Sequence, residues 1–457
     1  MNKAFEKYLE EAIGHENALV AFSAFDQPAS TAVRYNPFKS CVKMSGRAVQ
    51  WSEHGCILPE RPVFTLDPLF HAGAYYVQDS SSMFVGHAFR KMLPQVNLPQ
   101  GRPLRVLDLC AAPGGKTTDL AASLREACGD NFVLVANEVM KARVGILADN
   151  VALWGDPAVV VTSDDPVAFA ALPGFFDVIV TDVPCSGEGM FRKDDEAVQQ
   201  WSEDNVALCE ARQRRILADV WPSLREGGLL VYSTCTFNRM ENDGNVEWIA
   251  SELGAEILTS EDTLGGMPGV LKTERGYSLV PGHVEGEGQY CAVLRKTGQD
   301  SITDAPARSK KVPRQAKSTP VPDGLQRLMK IPVVFRAKGE MITAVPESIA
   351  SDVARAEEAL HVVAAGCAVG VVKGKDLVPD ADLALTLMLA DDAFPAVELD
   401  RQKALEFLHR DAITFPEAPK GYLLLKHEGL ALGFVKNLGN RCNSLHPQSR
   451  RIRMDIK

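Results

Sequence analysis

The 457-residue sequence contains no uncharged apolar run of about 18 residues, the minimum that a membrane-spanning helix requires. Its opening segment, MNKAFEKYLEEAIGHENALV, lacks the apolar core of a signal peptide. It also carries too many acidic residues for a transit peptide. We therefore expect a cytoplasmic protein.

The ten cysteines include no CxxC pair, so the sequence offers neither a zinc-ligand spacing nor a disulfide framework. Most of them are interpreted as small buried side chains. These are Cys41, Cys56, Cys128, Cys209, Cys291, Cys367 and Cys442. Cys110, Cys185 and Cys235 differ, because each follows a predicted strand.

An excess of positive charge is also missing, since the net charge is −10. This argues against nucleic-acid binding, where neutralisation of phosphate supplies much of the affinity. Two basic clusters weaken the objection. The first comprises Arg308, Lys310, Lys311, Arg314 and Lys317, and the second Lys436, Arg441, Arg450, Arg451, Arg453 and Lys457. Each is compatible with a solvated surface and with phosphate contact.

Strands alternate with helices from Leu104 onward. Buried strands are predicted at LRVLDLC, FVLVANE, AVVVTSD, FDVIVTD and GLLVYSTC, and helices at KTTDLAASLREA, KARVGILADNVALWG and NVALCEARQRRILADVWPSL. This alternation predicts parallel pairing in a doubly wound α/β sheet. A last strand around EGEGQYCAVLRK closes the unit.

We predict four segments: a small N-terminal α+β region at 1–95, the doubly wound domain at 96–296, a basic Pro/Ser linker at 297–323, and one or two small domains at 324–457. The N-terminal region begins with a helix and continues with extended pieces at TAVRYN, VFTLD and AYYVQDS. GMFRKDDEAVQQW and TFNRMENDGN are predicted as loops at the rim of the sheet.

A glycine-rich turn, AAPGGKTTDL, follows the first strand of the sheet and opens a helix, so backbone N–H groups can approach a ligand closely. A Walker A loop would need glycine in place of Cys110, and GxGxxG is absent. An adenosyl ligand remains. Acids end the next three strands: Glu138, then Asp164 and Asp165, then Asp182. Glu138 can accept hydrogen bonds from ribose hydroxyls, although such acids can also be helix caps.

Cys185 and Cys235 follow neighbouring strands, so both thiols should face one edge of the sheet near Asp182. Methylation of carbon 5 of a pyrimidine needs such a thiol, because thiolate addition at carbon 6 makes carbon 5 nucleophilic. A carboxyl group must polarise the base, and a second acid–base group must assist release.

Four motifs in order, DLCAAPGGKTTDL, NEVMKARVGILADNVALWG, DVIVTDVPCSGEGMFRKD and VYSTCTFNRMEND, resemble the Sun/nucleolar-protein (NOL/NOP/Sun) family of RNA cytosine-5 methyltransferases. NLGNRCNSLHPQSRRIR is similar to the C-terminus of the bacterial F-type enzymes for 16S ribosomal RNA, which carry a PUA-like module. The resemblance is clear over 75–296 and the last fifty residues. It implies a Rossmann-like fold that uses S-adenosylmethionine.

The resemblance also implies residue roles. Glu138 would hold the ribose, Asp165 the adenine, and Asp182 would lie between cofactor and cytosine. Cys235 would be the nucleophile and Cys185 would assist product release, whereas in DNA cytosine methyltransferases the PC thiol attacks. Lys116 would lie near the target base. The methionine and ribose would be wrapped by Cys110, Ala111, Ala112, Pro113, Gly114, Gly115 and Lys116. The DDP sequence departs from the DG pair of relatives, which leaves Asp164 or Asp165 open for the adenine.

The implied partner is ribosomal RNA of the small subunit, bound in part by residues 1–95 of a monomeric enzyme. Transfer RNA is the alternative substrate. A catalytically idle RNA-binding assembly factor is a second alternative, but it would be expected to lose a thiol or the PGG turn, and this chain keeps both.

Overall fold

The computed structural model describes residues 3–96, 101–258, 264–298, 321–374 and 376–456. Most of the predicted linker, including its basic cluster, lies outside the described residues, as does Lys457. The α-helices are α1 (Lys3–Ile13), α2 (His15–Phe25), α3 (Pro68–His71), α4 (Phe84–Met92), α5 (Gly115–Cys128), α6 (Lys141–Trp154), α7 (Asp195–Gln200), α8 (Glu203–Val220), α9 (Asp243–Glu252), α10 (Ala350–Ala359), α11 (Ala381–Leu385) and α12 (Arg401–His409).

The strands fall into four sheets. They are β1 (Thr31–Tyr35), β2 (Arg47–Val49), β3 (Ser52–Leu58), β4 (Tyr75–Val77), β5 (Leu104–Asp108), β6 (Phe132–Asn137), β7 (Val159–Thr162), β8 (Phe176–Asp182), β9 (Leu224–Thr234), β10 (Ala255–Ile257), β11 (Leu271–Lys272), β12 (Tyr277–Leu279), β13 (Gln289–Lys296), β14 (Val333–Lys338), β15 (Met341–Pro346), β16 (Val362–Ala365), β17 (Cys367–Lys373), β18 (Asp376–Pro379), β19 (Ala396–Glu398), β20 (Gly421–His427), β21 (Leu430–Asn437) and β22 (Cys442–Ser444).

The N-terminal part contains an antiparallel sheet of order β2-β3-β1-β4 and the helices α1 and α2, which pack against Trp201 and Phe237 of the central part. One expectation for it is wrong, because VFTLD is not extended. It forms a short 3-10 helix at Phe64–Leu66 that leads into α3. The Asp67 carboxylate caps α3 by accepting the Leu69 N–H, so the capping bond favours a helical turn over a strand.

The central sheet has the order β11-β12-β13-β9-β8-β5-β6-β7-β16, with β10 paired to β13. Strands β7, β6, β5, β8 and β9 run parallel, and β13 runs antiparallel beside β9. The strand order reverses around β5, which has β6 on one side and β8 on the other. In open parallel sheets, ligands bind beyond the carboxyl ends of the strands at this point. The predicted Rossmann-like α/β fold is confirmed.

The C-terminal part contains two further sheets, β14-β15-β17-β18 and β19-β20-β21-β22. Between β15 and β17 in sequence, β16 leaves the first of these sheets and joins the central sheet antiparallel to β7, which the sequence did not predict. Beside this junction, the His361 N–H donates to the Asp164 carboxylate at 2.7 Å.

Arg450 joins the C-terminal part to the rest of the molecule. It pairs with Asp149 of α6 at 3.0 Å and with Asp382 of α11 at 2.7 Å. Its side chain is only 12% exposed. Arg450 therefore is not free to contact phosphate as expected for the C-terminal cluster, whereas Arg453 is exposed.

The segment GMFRKDDEAVQQW, expected to be a loop, contains α7. Its start is capped by Asp194, whose carboxylate accepts the Glu196 N–H at 3.0 Å. Among the helices of the described ranges, none combines the length and apolar character needed to cross a membrane.

Candidate active site

The predicted glycine turn connects β5 to α5 at the point of strand reversal. Gly114 caps α5 with a φ of 114°, in the left-handed region that favours glycine. A β-carbon there would lie 3.3 Å from Leu147 Cδ1 on α6. Cys110 is also in this turn, and burial raises the pKa of its thiol. This thiol therefore stays protonated.

Asp108, the last residue of β5, lies beneath the turn and was missed by the sequence analysis. Its Oδ2 accepts a hydrogen bond from Thr117 Oγ1 at 2.6 Å, and its buried Oδ1 has no partner within the protein. Burial raises the pKa of this carboxyl to about 7. The strand-end position that singled out Glu138 and Asp182 would have identified Asp108 as well.

The acids after β6 and β7 differ in how accessible they are. Glu138 is buried, and its Oε1 accepts the Met140 N–H at 2.8 Å. The carboxylate of Asp164 is engaged by His361, as described above. Asp165 is 43% exposed, pairs with Arg215 at 3.4 Å and caps a short 3-10 helix by accepting the Val167 N–H. The helix-cap interpretation thus holds for Asp165 Oδ1, while Arg215 lies 3.4 Å from Asp165 Oδ2.

Lys116 and Asp182 form an ion pair between the glycine turn and β8. Lys116 Nζ lies 2.9 Å from Asp182 Oδ2 and donates to Ser82 Oγ at 3.0 Å. Burial alone would lower the pKa of Lys116, but Asp182 outweighs burial, and the pKa is raised. Lys116 therefore remains a cation in the site. Asp182 Oδ1 accepts hydrogen bonds from Ser233 Oγ at 3.0 Å and Gln289 Nε2 at 3.3 Å.

Ser82 and Gln289 are further site residues that sequence reasoning missed. Ser82 lies in a run of serines after β4, which carries no catalytic pattern. Gln289 is the first residue of β13, which the sequence analysis treated only as the closing strand of the unit. Its contact with Asp182 makes it part of the site.

The two predicted thiols lie side by side at the ends of β8 and β9. Cys185 Sγ and Cys235 Sγ are 3.2 Å apart, and both residues are half-buried. The hydrogen bond with Cys235, together with burial, raises the pKa of Cys185 well above its ordinary value. Cys185 therefore keeps its proton, and its thiol can donate this proton to the Cys235 sulfur.

The structure thus arranges the predicted site residues in one line along the carboxyl edge of the sheet. Asp165 and Glu138 lie at one end, the glycine turn is at the reversal, and the thiols are at the other end. The Lys116–Asp182 pair lies between the acids of β6 and β7 and the two thiols. The sheet and this edge have the Rossmann-like α/β arrangement.

Comparison with known proteins identifies the particular family. Residues 97–295 match the model described as 16S rRNA methyltransferase RsmB/F. Residues 1–80 match the N-terminal domain of 16S rRNA methyltransferase RsmF, and residues 394–452 match the methyltransferase RsmF PUA domain. Together the three models match residues 1–80, 97–295 and 394–452, and they confirm the relationship to the bacterial F-type 16S rRNA methyltransferases expected from the sequence motifs.

Curated relatives agree with this assignment. The chain is 40% identical over 244 residues to ribosomal RNA small subunit methyltransferase F of Klebsiella pneumoniae, covering 53% of this chain and 48% of the relative. It is 37% identical over 238 residues to the protein of that name from Escherichia coli O7:K1, covering 51% and 47%. The chain spans about half the length of the curated relatives it matches.

Solved structures share the fold. A methyltransferase homolog from Pyrococcus horikoshii has a TM-score of 0.53 at 26% identity, covering 65% of this chain and 95% of that one. NSun6 from Pyrococcus horikoshii, solved with SFG, has a TM-score of 0.51 at 17% identity, covering 65% and 99%.

Proposed function

We propose that this protein transfers a methyl group from S-adenosylmethionine to carbon 5 of a cytidine in 16S ribosomal RNA, as a cytoplasmic monomer. The observation that carries the proposal is the pair of thiols 3.2 Å apart beside the Lys116–Asp182 ion pair. A methyltransferase acting on a nitrogen or oxygen would have no use for a second thiol there, since such atoms are nucleophilic without covalent activation.

The residues present suit S-adenosylmethionine. Asp108 Oδ1, a buried acceptor without a protein partner, would take a hydrogen bond from the ammonium group of the methionine part. Glu138 would hold the ribose hydroxyls and Asp165 the adenine. Val139 and Val167, exposed apolar side chains that follow close on these acids, would cover the adenine faces. When bound, the cofactor supplies an electrophilic methyl group.

The two thiols and the Lys116–Asp182 pair account for the remaining steps of the proposed reaction. The Cys235 thiolate forms a bond with carbon 6 of cytosine, and the electron pair of the 5,6 double bond makes carbon 5 the nucleophile. Asp182 hydrogen-bonds the base edge and Lys116 balances its charge. After methylation, a water molecule takes the proton from carbon 5, the electron pair of that bond re-forms the 5,6 double bond, and the sulfur–carbon bond breaks to return Cys235 as the thiolate. Cys185, beside the departing sulfur, assists this release.

The substrate assignment is supported by the match to an RsmF PUA domain at residues 394–452 and by the names of the relatives. Because the Cys235 sulfur must reach carbon 6, the target cytidine must leave its stack, so a loop or unwound segment of the RNA is expected.

The test is methyl transfer from labelled S-adenosylmethionine to 16S ribosomal RNA, with bisulfite mapping of the product and transfer RNA as a parallel substrate. We expect one modified cytidine in 16S RNA. Calorimetry should also show cofactor binding that Glu138→Ala weakens. Methylation of transfer RNA alone would replace 16S ribosomal RNA by transfer RNA as the assigned substrate. If the folded protein does not bind the cofactor at millimolar cofactor concentration, the proposal is overturned.

A further inference from the structure

Crossed hydrogen bonds join the two loops that carry the thiols. We call residues 185–189 the first thiol loop and residues 235–241 the second. Glu188 of the first loop accepts the backbone N–H groups of Phe237 at 2.7 Å and Asn238 at 2.9 Å, both on the second. Glu241 of the second loop accepts the Ser186 N–H of the first at 3.0 Å. Each loop thus anchors its carboxylate on the backbone of the other.

Both carboxylates are buried, with residue exposures of 1% for Glu188 and 0% for Glu241. Their remaining oxygen positions are also filled. Trp201 Nε1 donates to Glu188 at 2.9 Å, and Gln213 Nε2 donates to Glu241 at 2.7 Å. The Asn238 side-chain amide lies 3.0 Å from Glu188 Oε1 and 2.8 Å from Glu241 Oε1, so it connects the two. Burying two acids is costly unless each acceptor is satisfied, so this network tolerates little displacement of either loop.

The backbones of the two loops are also in direct contact. The Gly189 N–H donates to the Cys235 carbonyl at 2.9 Å. A β-carbon on Gly189 would lie 2.7 Å from that carbonyl oxygen and 2.7 Å from Gly288 Cα, so no larger residue fits without a shift. The contact ties the carbonyl of Cys235, the attacking residue in the proposed function, to the first loop.

We propose that Glu188 and Glu241 are positioning residues that hold the two thiol loops together, so that Cys185 stays within reach of Cys235 through the reaction. This inference rests on the proposed function. Neither carboxylate lies at the open edge, and both act through the cysteines. If the loops separate, Cys235 can still add to the base, but Cys185 no longer lies beside the departing sulfur, and release slows.

Replacing either glutamate with glutamine tests this directly. Each carboxylate oxygen of Glu188 and Glu241 accepts from an N–H donor. Either orientation of the glutamine amide therefore places an NH2 group against a donor. The matched control is Asp177→Asn. Asp177 is also fully buried and hydrogen-bonded, to Arg102, Arg105 and Arg225, but it lies at the opposite end of β8 from Cys185.

The first readout is the spacing of the thiols, probed with phenylarsine oxide. This reagent forms two arsenic–sulfur bonds with a close pair of thiols and releases its oxygen as water, with no change in oxidation state. Peptide mass spectrometry assigns the bridge to Cys185 and Cys235. We expect Glu188→Gln and Glu241→Gln to lower the affinity of the thiol pair for the reagent about tenfold, which is the effect of losing a hydrogen bond to a charged group. Asp177→Asn should bind the reagent like the wild type.

The second readout is the fraction of enzyme trapped as a covalent adduct with RNA, which should rise in both glutamine variants and not in Asp177→Asn. If a glutamine variant does not fold, Asn238→Ala, which removes only the connecting amide, takes its place with the same expectation. The inference would be overturned if the folded glutamine variants bind the reagent like the wild type. It would also be overturned if Asp177→Asn loses as much affinity for the reagent as they do. Because bridging needs neither RNA nor cofactor, failure of the proposed function would appear separately, as absent methyl transfer by the wild type.

Discussion

Arg450 offers a quantitative test of how the C-terminal part is held. Its hydrogen bond to the partly buried Asp382 at 2.7 Å should contribute about 1.5–3 kcal/mol. Its pair with Asp149, whose side chain is 51% exposed, should add only about 0–1 kcal/mol. Arg450→Ala should therefore destabilise the attachment of the chain around Arg450 to α6 and α11 by about 1.5–4 kcal/mol, since both carboxylates lose their partner.

Hydrogen exchange measures this effect locally. The Ile452 N–H donates to Leu408 O at 3.2 Å and the Leu445 N–H to Phe434 O at 3.0 Å, so peptides covering them report opening of this region. At about 1.4 kcal/mol per factor of ten, exchange there should be about 10- to 700-fold faster in Arg450→Ala. Arg453→Ala is the control, because Arg453 is exposed and close in sequence.

RNA binding distinguishes docking from phosphate contact. Arg453→Ala should lower the slope of log affinity against log salt by about 0.7–0.9 if this residue contacts one phosphate, whereas Arg450→Ala should leave the slope unchanged. Unchanged exchange in Arg450→Ala, combined with a slope reduced as in Arg453→Ala, would refute the docking role.

Three further predictions follow from the site. Asp164→Ala should speed hydrogen exchange in β16, because the His361 N–H loses its acceptor. Asp165→Ala should instead weaken cofactor binding in calorimetry. The reverse pattern would contradict the assignment of Asp165 to the adenine. Gly114→Ala should destabilise the protein by about 1–2 kcal/mol and weaken cofactor binding, because Gly114 has a positive φ. Gly145→Ala within α6, where a β-carbon meets open space, should stabilise the protein by about 0.5–1 kcal/mol. Equal urea midpoints for the two variants would contradict the turn geometry. Burial raises the pKa of Glu241 from 4.5 to about 7, so the folded state binds more protons than the unfolded state, and stability should fall as pH rises between these values. Urea titrations should show a flatter pH dependence in Glu241→Gln, and an unchanged slope would contradict this.

The central sheet could be predicted because its strands are buried on both faces and therefore appear as continuous aliphatic runs. The same pattern placed Asp182, Cys185 and Cys235 at one edge, since parallel strands end together. Asp108 obeys the same rule, but it lies inside the predicted strand LRVLDLC, so the sequence pattern did not show that β5 ends at this residue.

Contacts between segments far apart in the chain could not be predicted in this way, because no sequence pattern marks them. Strand β16 is only four residues long, with the sequence VVAA, and its partner β7 lies about 200 positions earlier in the chain. No local periodicity therefore indicates the pairing. Arg450 appeared in a basic run, but its partner Asp149 is 301 residues away in sequence. The crossed bonds of Glu188 and Glu241 likewise depend on two loops meeting in space, although both glutamates lie inside recognised motifs.

The central claim, that Cys235 attacks and Cys185 releases, is tested most directly by trapping the enzyme on RNA. In a denaturing gel with S-adenosylmethionine and 16S ribosomal RNA, Cys185→Ala should accumulate as a slow-migrating covalent adduct. Cys235→Ala should form no adduct and no product while still binding cofactor, and the double variant should also form none. Adducts trapped by Cys235→Ala and absent from Cys185→Ala would contradict the account and make Cys185 the nucleophile.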